Sequence, residues 1–212
     1  MKNKNDAIDD KIFDFVYTIA MRDATLQKAY PGNKGEKKAL AKNYPMAKNQ
    51  VKEFVNNILD GKYKKIGKRD EYDKDFCELA LNVTEILPPK FTLGNAQKLI
   101  NMTIKYFYIM TYHNPKLRGN FVNCHCPMDS QLIKTVRKQY CKKNKKRKWP
   151  ALPSGTRWSQ VQDLKGGVYK VFQDEIRKFC DEQNNECLNP IEYDYKNWNN
   201  DSIFSGDVGG DD

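Results

Sequence analysis

The sequence of 212 residues contains none of the short signatures that name a chemistry. There is no GxxxxGKS/T, no GxGxxG, no HExxH and no EF-hand loop, so P-loop, dinucleotide-fold, zincin and calcium-hand mechanisms have no anchor. Histidine occurs only twice, and the six cysteines include no CxxC pair. Cys124, His125, Cys126 and Cys141 come nearest to a ligand set, but their spacing is not that of a structural zinc site, and neither a metal nor a cofactor is expected. No apolar run approaches the ~20 residues of a membrane span, so a membrane partner is not expected. The opening MKNKNDAIDD lacks the apolar stretch of a secretory leader, which predicts cytoplasmic residence with reduced thiols. No segment sustains the period-two alternation of a strand.

One further absence is local. Between Asp129 and Asp163 there is not a single acid, while ten basic residues fall in the interval, a number equal to the net charge of +10. They are Lys134, Arg137, Lys138, Lys142, Lys143, Lys145, Lys146, Arg147, Lys148 and Arg157. From Asp181 to Asp212 the sign reverses, with nine acids against Lys196 alone. A basic block beside an acidic end favours a polyanionic partner for which the acids can compete. A second cluster, Lys62–Arg69, carries Tyr63 among its lysines and reads as a solvated linker.

What is present is helical periodicity. Ile8, Ile12, Phe15, Val16 and Ile19 predict a first helix reaching about Ala29. Tyr30-Pro31-Gly32-Asn33 ends it, and a short helix is expected over Glu36–Lys42. Pro45 then suits the first turn of another helix, with Ala47, Val51, Phe54, Val55 and Ile58 inward and Gly61 as its C-terminal cap. Asp70–Leu87 is a helix stopped by Pro88-Pro89. Further helices are expected from Pro127, from Ser159, where Ser159 and Gln162 have capping-box spacing and Lys165-Gly166-Gly167 ends the helix, and over Val168, Val171, Phe172, Ile176 and Phe179. The fold class is therefore all-α: a single-domain bundle of about six or seven helices spanning 7–195, followed by an acidic tail, 196–212, of disordered composition.

The bundle should be built around residues 92–112. At 100° per residue this helix is apolar on most sides, and Thr92 is placed to cap it. Its exception is a polar stripe of Gln97, Asn101, Lys105 and Tyr108, with Lys98 at the edge. Such groups must find partners, because an unpaired buried polar group costs about 1–3 kcal/mol. Either other side chains satisfy them or they form the floor of a ligand site, and the ligand floor is the expectation taken forward.

Three functions follow. The first is binding of nucleic acid or a nucleotide-like anion, with the cations 134–148 and the ring of Trp158 gripping the polymer and Gln97, Lys98, Asn101, Lys105 and Tyr108 forming a selective pocket. The second is an enzyme acting on nucleic acid, with Lys105, His125 and Asp129 as candidate catalytic groups; His125 and Asp129 lie where a helix begins and could exchange protons. The third is a module that engages a protein partner through the basic helix or the acidic tail.

Overall fold

A computed structural model describes residues 8–25, 34–87, 90–143, 157–182 and 189–197. Among these the chain is all-α, without a strand. The helices are α1 (Asp10–Thr25), α2 (Lys34–Leu59), α3 (Arg69–Ile86), α4 (Leu93–Thr111), α5 (Pro115–Arg118), α6 (Ser130–Lys143), α7 (Val168–Asp181) and α8 (Pro190–Asn197). Short 3-10 turns stand at Ile66–Lys68, Gly119–Phe121 and Trp158–Gln160. The end expected at Ala29, the cations Lys145, Lys146, Arg147 and Lys148, and the tail beyond Asn197 lie outside the described residues.

α4 is the central element, packed against α1, α3 and α8. Its first turn is closed by a capping box: Thr92 Oγ1 accepts from the Asn95 amide at 3.1 Å, and Asn95 Oδ1 accepts from the Thr92 amide at 3.2 Å. Asn95 Nδ2 also donates to the Ala24 carbonyl at 2.5 Å, so one residue serves the start of α4 and the end of α1. Phe13 stacks on Phe107 at a centroid distance of 5.8 Å, joining the two helices along their length. Met110, at the far end of this otherwise largely apolar helix, is 55% exposed.

α2 corrects the expectation of two helices separated near Pro45, since it runs unbroken through that proline. Proline removes one helical donor and crowds the preceding turn at a cost of about 3 kcal/mol. Burial of Ala47, Val51, Val55 and Ile58 offsets that cost on one side, and Asn43 Nδ2 ties the N-terminal half to the Ile86 carbonyl at 2.7 Å. The C-terminus ends as the sequence suggests. Gly61 takes φ +78°, the Lys62 amide donates to the Asn57 carbonyl and the Gly61 amide to that of Ile58, both at 2.9 Å, the two bonds of a Schellman motif.

Two other boundaries move. α6 starts at Ser130, with Asp129 Oδ1 accepting from the Leu132 amide at 2.9 Å, because Asp129 supplies the cap that Pro127 cannot. The helix expected at Ser159 is only the 3-10 turn. That turn lies hard against the start of α4, where Thr92 Oγ1 is hydrogen-bonded to the Ser159 carbonyl. Gly94 makes the approach possible: a Cβ there would stand 2.5 Å from the Trp158 carbonyl oxygen. The three atoms nearest that Cβ, from Trp158 and Ser159, are all backbone, so Gly94→Ala is expected to lower stability by about 1–3 kcal/mol, read as a reduced midpoint in urea. An unchanged midpoint would show that the turn does not clamp α4.

Candidate functional site

The chain between the Gly119–Phe121 turn and α6 forms no helix, yet Asn123 to Met128 are buried. Irregular backbone in an interior needs a partner for each amide and carbonyl. Two glutamines supply many of them. Gln97 of α4 donates to the Met128 carbonyl at 2.9 Å and accepts from the Met128 amide at 3.1 Å. Gln173 of α7 does the same for Cys126, at 2.8 and 3.2 Å. The non-helical segment is thus held between two helices by side-chain amides. Asn123 adds an anchor, donating to the carbonyls of Tyr63 and Lys65 at 2.6 and 2.7 Å.

The polar groups continue in a chain. Asn101 Nδ2 donates to Gln97 Oε1 at 3.2 Å and lies 2.9 Å from the Tyr169 hydroxyl. That hydroxyl is 3.0 Å from His125 Nδ1, and His125 Nε2 is 2.9 Å from Asp73 Oδ1. Since Asp73 can only accept, the proton sits on Nε2 and Tyr169 donates to Nδ1. Arg177 completes the group with a fork onto Asp73, at 2.6 and 2.9 Å, and a bond of 3.1 Å to the Asn123 carbonyl.

Electrostatics fix these protonation states. Burial, reinforced by the charge of Arg177, pushes His125 down to about 4 despite Asp73 beside it, so the imidazole is neutral near pH 7. Burial opposes ionisation of Asp73, but the bonds from His125 and Arg177 hold its carboxyl well below the usual range. Burial alone would lower Arg177; Asp73 raises it above its ordinary value. The arrangement is a closed ion pair with a neutral histidine donating to its carboxylate.

The expected site residues do not come together as one pocket. Gln97, Asn101 and Lys105 are buried, and Gln97 and Asn101 are hydrogen-bonded to each other, to Met128 and to Tyr169. Lys105 Nζ is 2.7 Å from Asp194 Oδ2 of α8, and both are nearly inaccessible. Burial raises Asp194 to about 6 against the opposing pull of Lys105. Tyr108 packs its ring edge-on against Tyr112, Phe121 and Tyr195. His125 takes Asp73 and Tyr169 as partners rather than Asp129, because its ring points into the α3–α7 interface. Asp129 caps α6 and lies 3.6 Å from Lys98, which in turn sits 4.7 Å over the Trp158 ring. Trp158 is only 5% exposed, so it belongs to the clamp on α4 and offers no open face for base stacking.

Of the basic block, Lys134, Arg137 and Lys138 are exposed on one face of α6, while Leu132, Thr135 and Val136 are buried on another. The side chains of Lys142 and Lys143 lie outside the description. Sequence reading missed Asp73, Tyr169, Gln173, Arg177 and Asp194. A signal existed on α7: Tyr169, Gln173 and Arg177 recur every four residues, a polar row parallel in logic to Gln97, Asn101 and Lys105.

The fold and site define a class by architecture: an all-α domain in which two helices with polar rows hold a buried non-helical segment. The chain matches no known family model, no curated protein and no solved structure with which it was compared. Among the described residues no helix is long and apolar enough to cross a membrane, and no cluster of three His, Cys, Asp or Glu side chains could hold a metal ion.

Two outcomes follow from the network. Gln97→Leu strands the amide and carbonyl of Met128 and is expected to cost about 1–3 kcal/mol for each group left unpaired. Lys105→Met leaves a buried carboxylate without its ammonium and is expected to cost about 3–5 kcal/mol at neutral pH. Urea denaturation of both variants measures these losses; wild-type stability in either would return the stripe to a ligand-binding role.

His125 gives a pH signature. A histidine with a folded pKa of about 4 and an ordinary value of 6.5 binds fewer protons when folded. Its stabilisation is therefore complete above 6.5 and drains away as pH falls towards 4. The stability gap between the wild type and His125→Asn should widen as pH rises from about 4 to 6.5 and then level off. Denaturant melts across that range test this, and a gap independent of pH would contradict a buried neutral imidazole.

Proposed function

We propose that this chain is a polyanion-binding protein whose partner is nucleic acid, gripped by the outer face of α6 and the cations that follow it in sequence. The observation carrying this reading is the run 130–162, with ten cations and no acid. Lys134, Arg137 and Lys138 share the i, i+3, i+4 spacing of one helical stripe, and that stripe is exposed. Cations so placed can neutralise successive phosphates and release their counterions, an interaction that needs no base-specific pocket. The protein acts in the cytoplasm, where thiols such as Cys77 and Cys124 stay reduced. Base stacking on Trp158 forms no part of the proposal, since that ring is buried.

Binding to a fluorescent oligonucleotide should weaken as salt rises, and Lys134→Glu with Arg137→Glu should weaken it by about tenfold or more at low salt while leaving the thermal midpoint close to wild type. The slope of log affinity against log salt should become shallower in the variant. Affinity and slope equal to wild type would remove α6 from the interface.

A further inference from the structure

A cleft of about 330 Å³ opens between α3 and α7, bordered by the loop before α7, and nothing above gives it a role. Cys77, Leu164, Tyr169, His125 and Gln173 line its buried part. The polar atoms of the last three are already committed inside the protein. The Tyr169 hydroxyl bonds Asn101 and His125, both His125 nitrogens are used, and Gln173 holds the Cys126 backbone with both its amide oxygen and its amide nitrogen. This lining therefore offers rings, aliphatic carbon and sulfur to an occupant rather than hydrogen bonds.

The remaining lining residues are charged. Lys74 and Glu78 of α3 and Lys165 of the loop are exposed, and Lys170 of α7 is half-buried. Lys170 is paired with Asp174 at 2.6 Å, and Asp73 is matched by Arg177. Lys74 and Lys165 make no ion pair among the described residues. Against Glu78 they leave an excess of one positive charge on the cleft.

We propose that the α3–α7 cleft binds a small aromatic molecule bearing one anionic group, a carboxylate or a phosphate, with its ring against Leu164 and Tyr169 and its anion at Lys74 and Lys165. The volume lies at the lower end of the roughly 300–1,000 Å³ of small-molecule sites, which are mostly apolar with a few placed polar groups. An indole carboxylate or the base and phosphate of a nucleoside monophosphate meets both requirements. The bonded chain from Gln97 to Arg177 fixes Tyr169 and His125, so this wall is formed before any ligand arrives. Cys77 does not act as a nucleophile there, because burial pushes its thiol up to about 11. The site is independent of α6, as none of its residues belongs to that helix.

Isothermal titration of the full chain tests the assignment with adenosine, guanosine, cytidine and uridine monophosphates in one arm and indole-3-acetate in the other. Inorganic phosphate and acetate serve as controls without a ring. Saturable binding in either arm, absent from its control, is expected; the arm that responds identifies the anionic group. Lys74→Glu with Lys165→Glu should weaken that binding about tenfold or more, because attraction becomes repulsion at exposed positions that do not support the core. Leu164→Trp should abolish it by filling the cleft, and the lysine pair decides alone if that variant fails to fold. Lys134→Glu with Arg137→Glu should leave it unchanged, which separates this site from the nucleic-acid reading. No saturable binding of any ring-bearing probe overturns the proposal, as does binding that survives the reversal at Lys74 and Lys165.

Discussion

A stretch of non-helical backbone buried inside a helical protein needs donors and acceptors that helices do not ordinarily provide. Helical amides and carbonyls are spent within their own helix, so beyond the turn bond from the Cys124 amide to the Phe121 carbonyl, much of Asn123–Met128 is satisfied by side chains. Tyr72 of α3 accepts from the His125 amide, and the glutamines that hold Cys126 and Met128 lie on α4 and α7. Gln97 and Gln173 each present an amide with the same donor–acceptor pair as a peptide group, and each clasps one residue of the segment from its own side. Replacing either with an apolar residue would keep the packing volume and leave the peptide groups bare. The polar rows of α4 and α7 follow from this constraint.

Extending those rows creates the charged part of the interior. Asn101 and Tyr169 bridge α4 to His125, and Asp73 then receives both His125 and Arg177. Each charge has an opposite charge in contact: Asp73 has Arg177, and Asp194 has Lys105. A buried pair of this kind contributes little net stability, because desolvation cancels much of the attraction. Removing one member is costly all the same, so the pairs fix which surfaces of α3, α4, α7 and α8 meet. Neutral His125 fits that logic, since a charged imidazole would place a second cation beside Arg177.

Helix periodicity was legible because apolar residues recur at helical spacing wherever one face is buried. The central helix expected at 92–112 forms as Leu93–Thr111, and both the Thr92 cap and the Gly61 terminus were visible as local chemistry. Pro45 misled because local propensity argues for a break, while the packed face from Ala47 to Ile58 extends beyond it and prevails. α8 has no counterpart among the expected helices, since its eight residues carry too little apolar periodicity to reveal a helix. The polar stripe was recognised as needing partners, but its partners are 31 to 68 residues away for Gln97 and Asn101. Spacing along a chain cannot disclose such pairings. Asp73 escaped notice for the same reason: on α3 it resembles any solvated acid until Arg177 is brought against it.

The same accounting separates scaffold from function. A buried polar atom with its bonds made inside the protein has little left to offer a ligand without first breaking those bonds, at a cost comparable to that of an unpaired group. This argues against Lys105 and His125 as acid–base groups: one is committed to Asp194, and the other carries its proton towards Asp73 while accepting from Tyr169. In both proposals the charged contacts come from groups on the outside of the network. On α6 these are cations on an exposed helical face. In the α3–α7 cleft they are two lysines above a wall of fixed rings. Both proposed surfaces are held by elements whose inward faces are locked, and a site gains accuracy when its supporting residues cannot rearrange. In the proposed cleft the polar interior thus presents the ring of Tyr169, whose hydroxyl is already bonded, and at the proposed α6 surface it bears only on the positions it enforces.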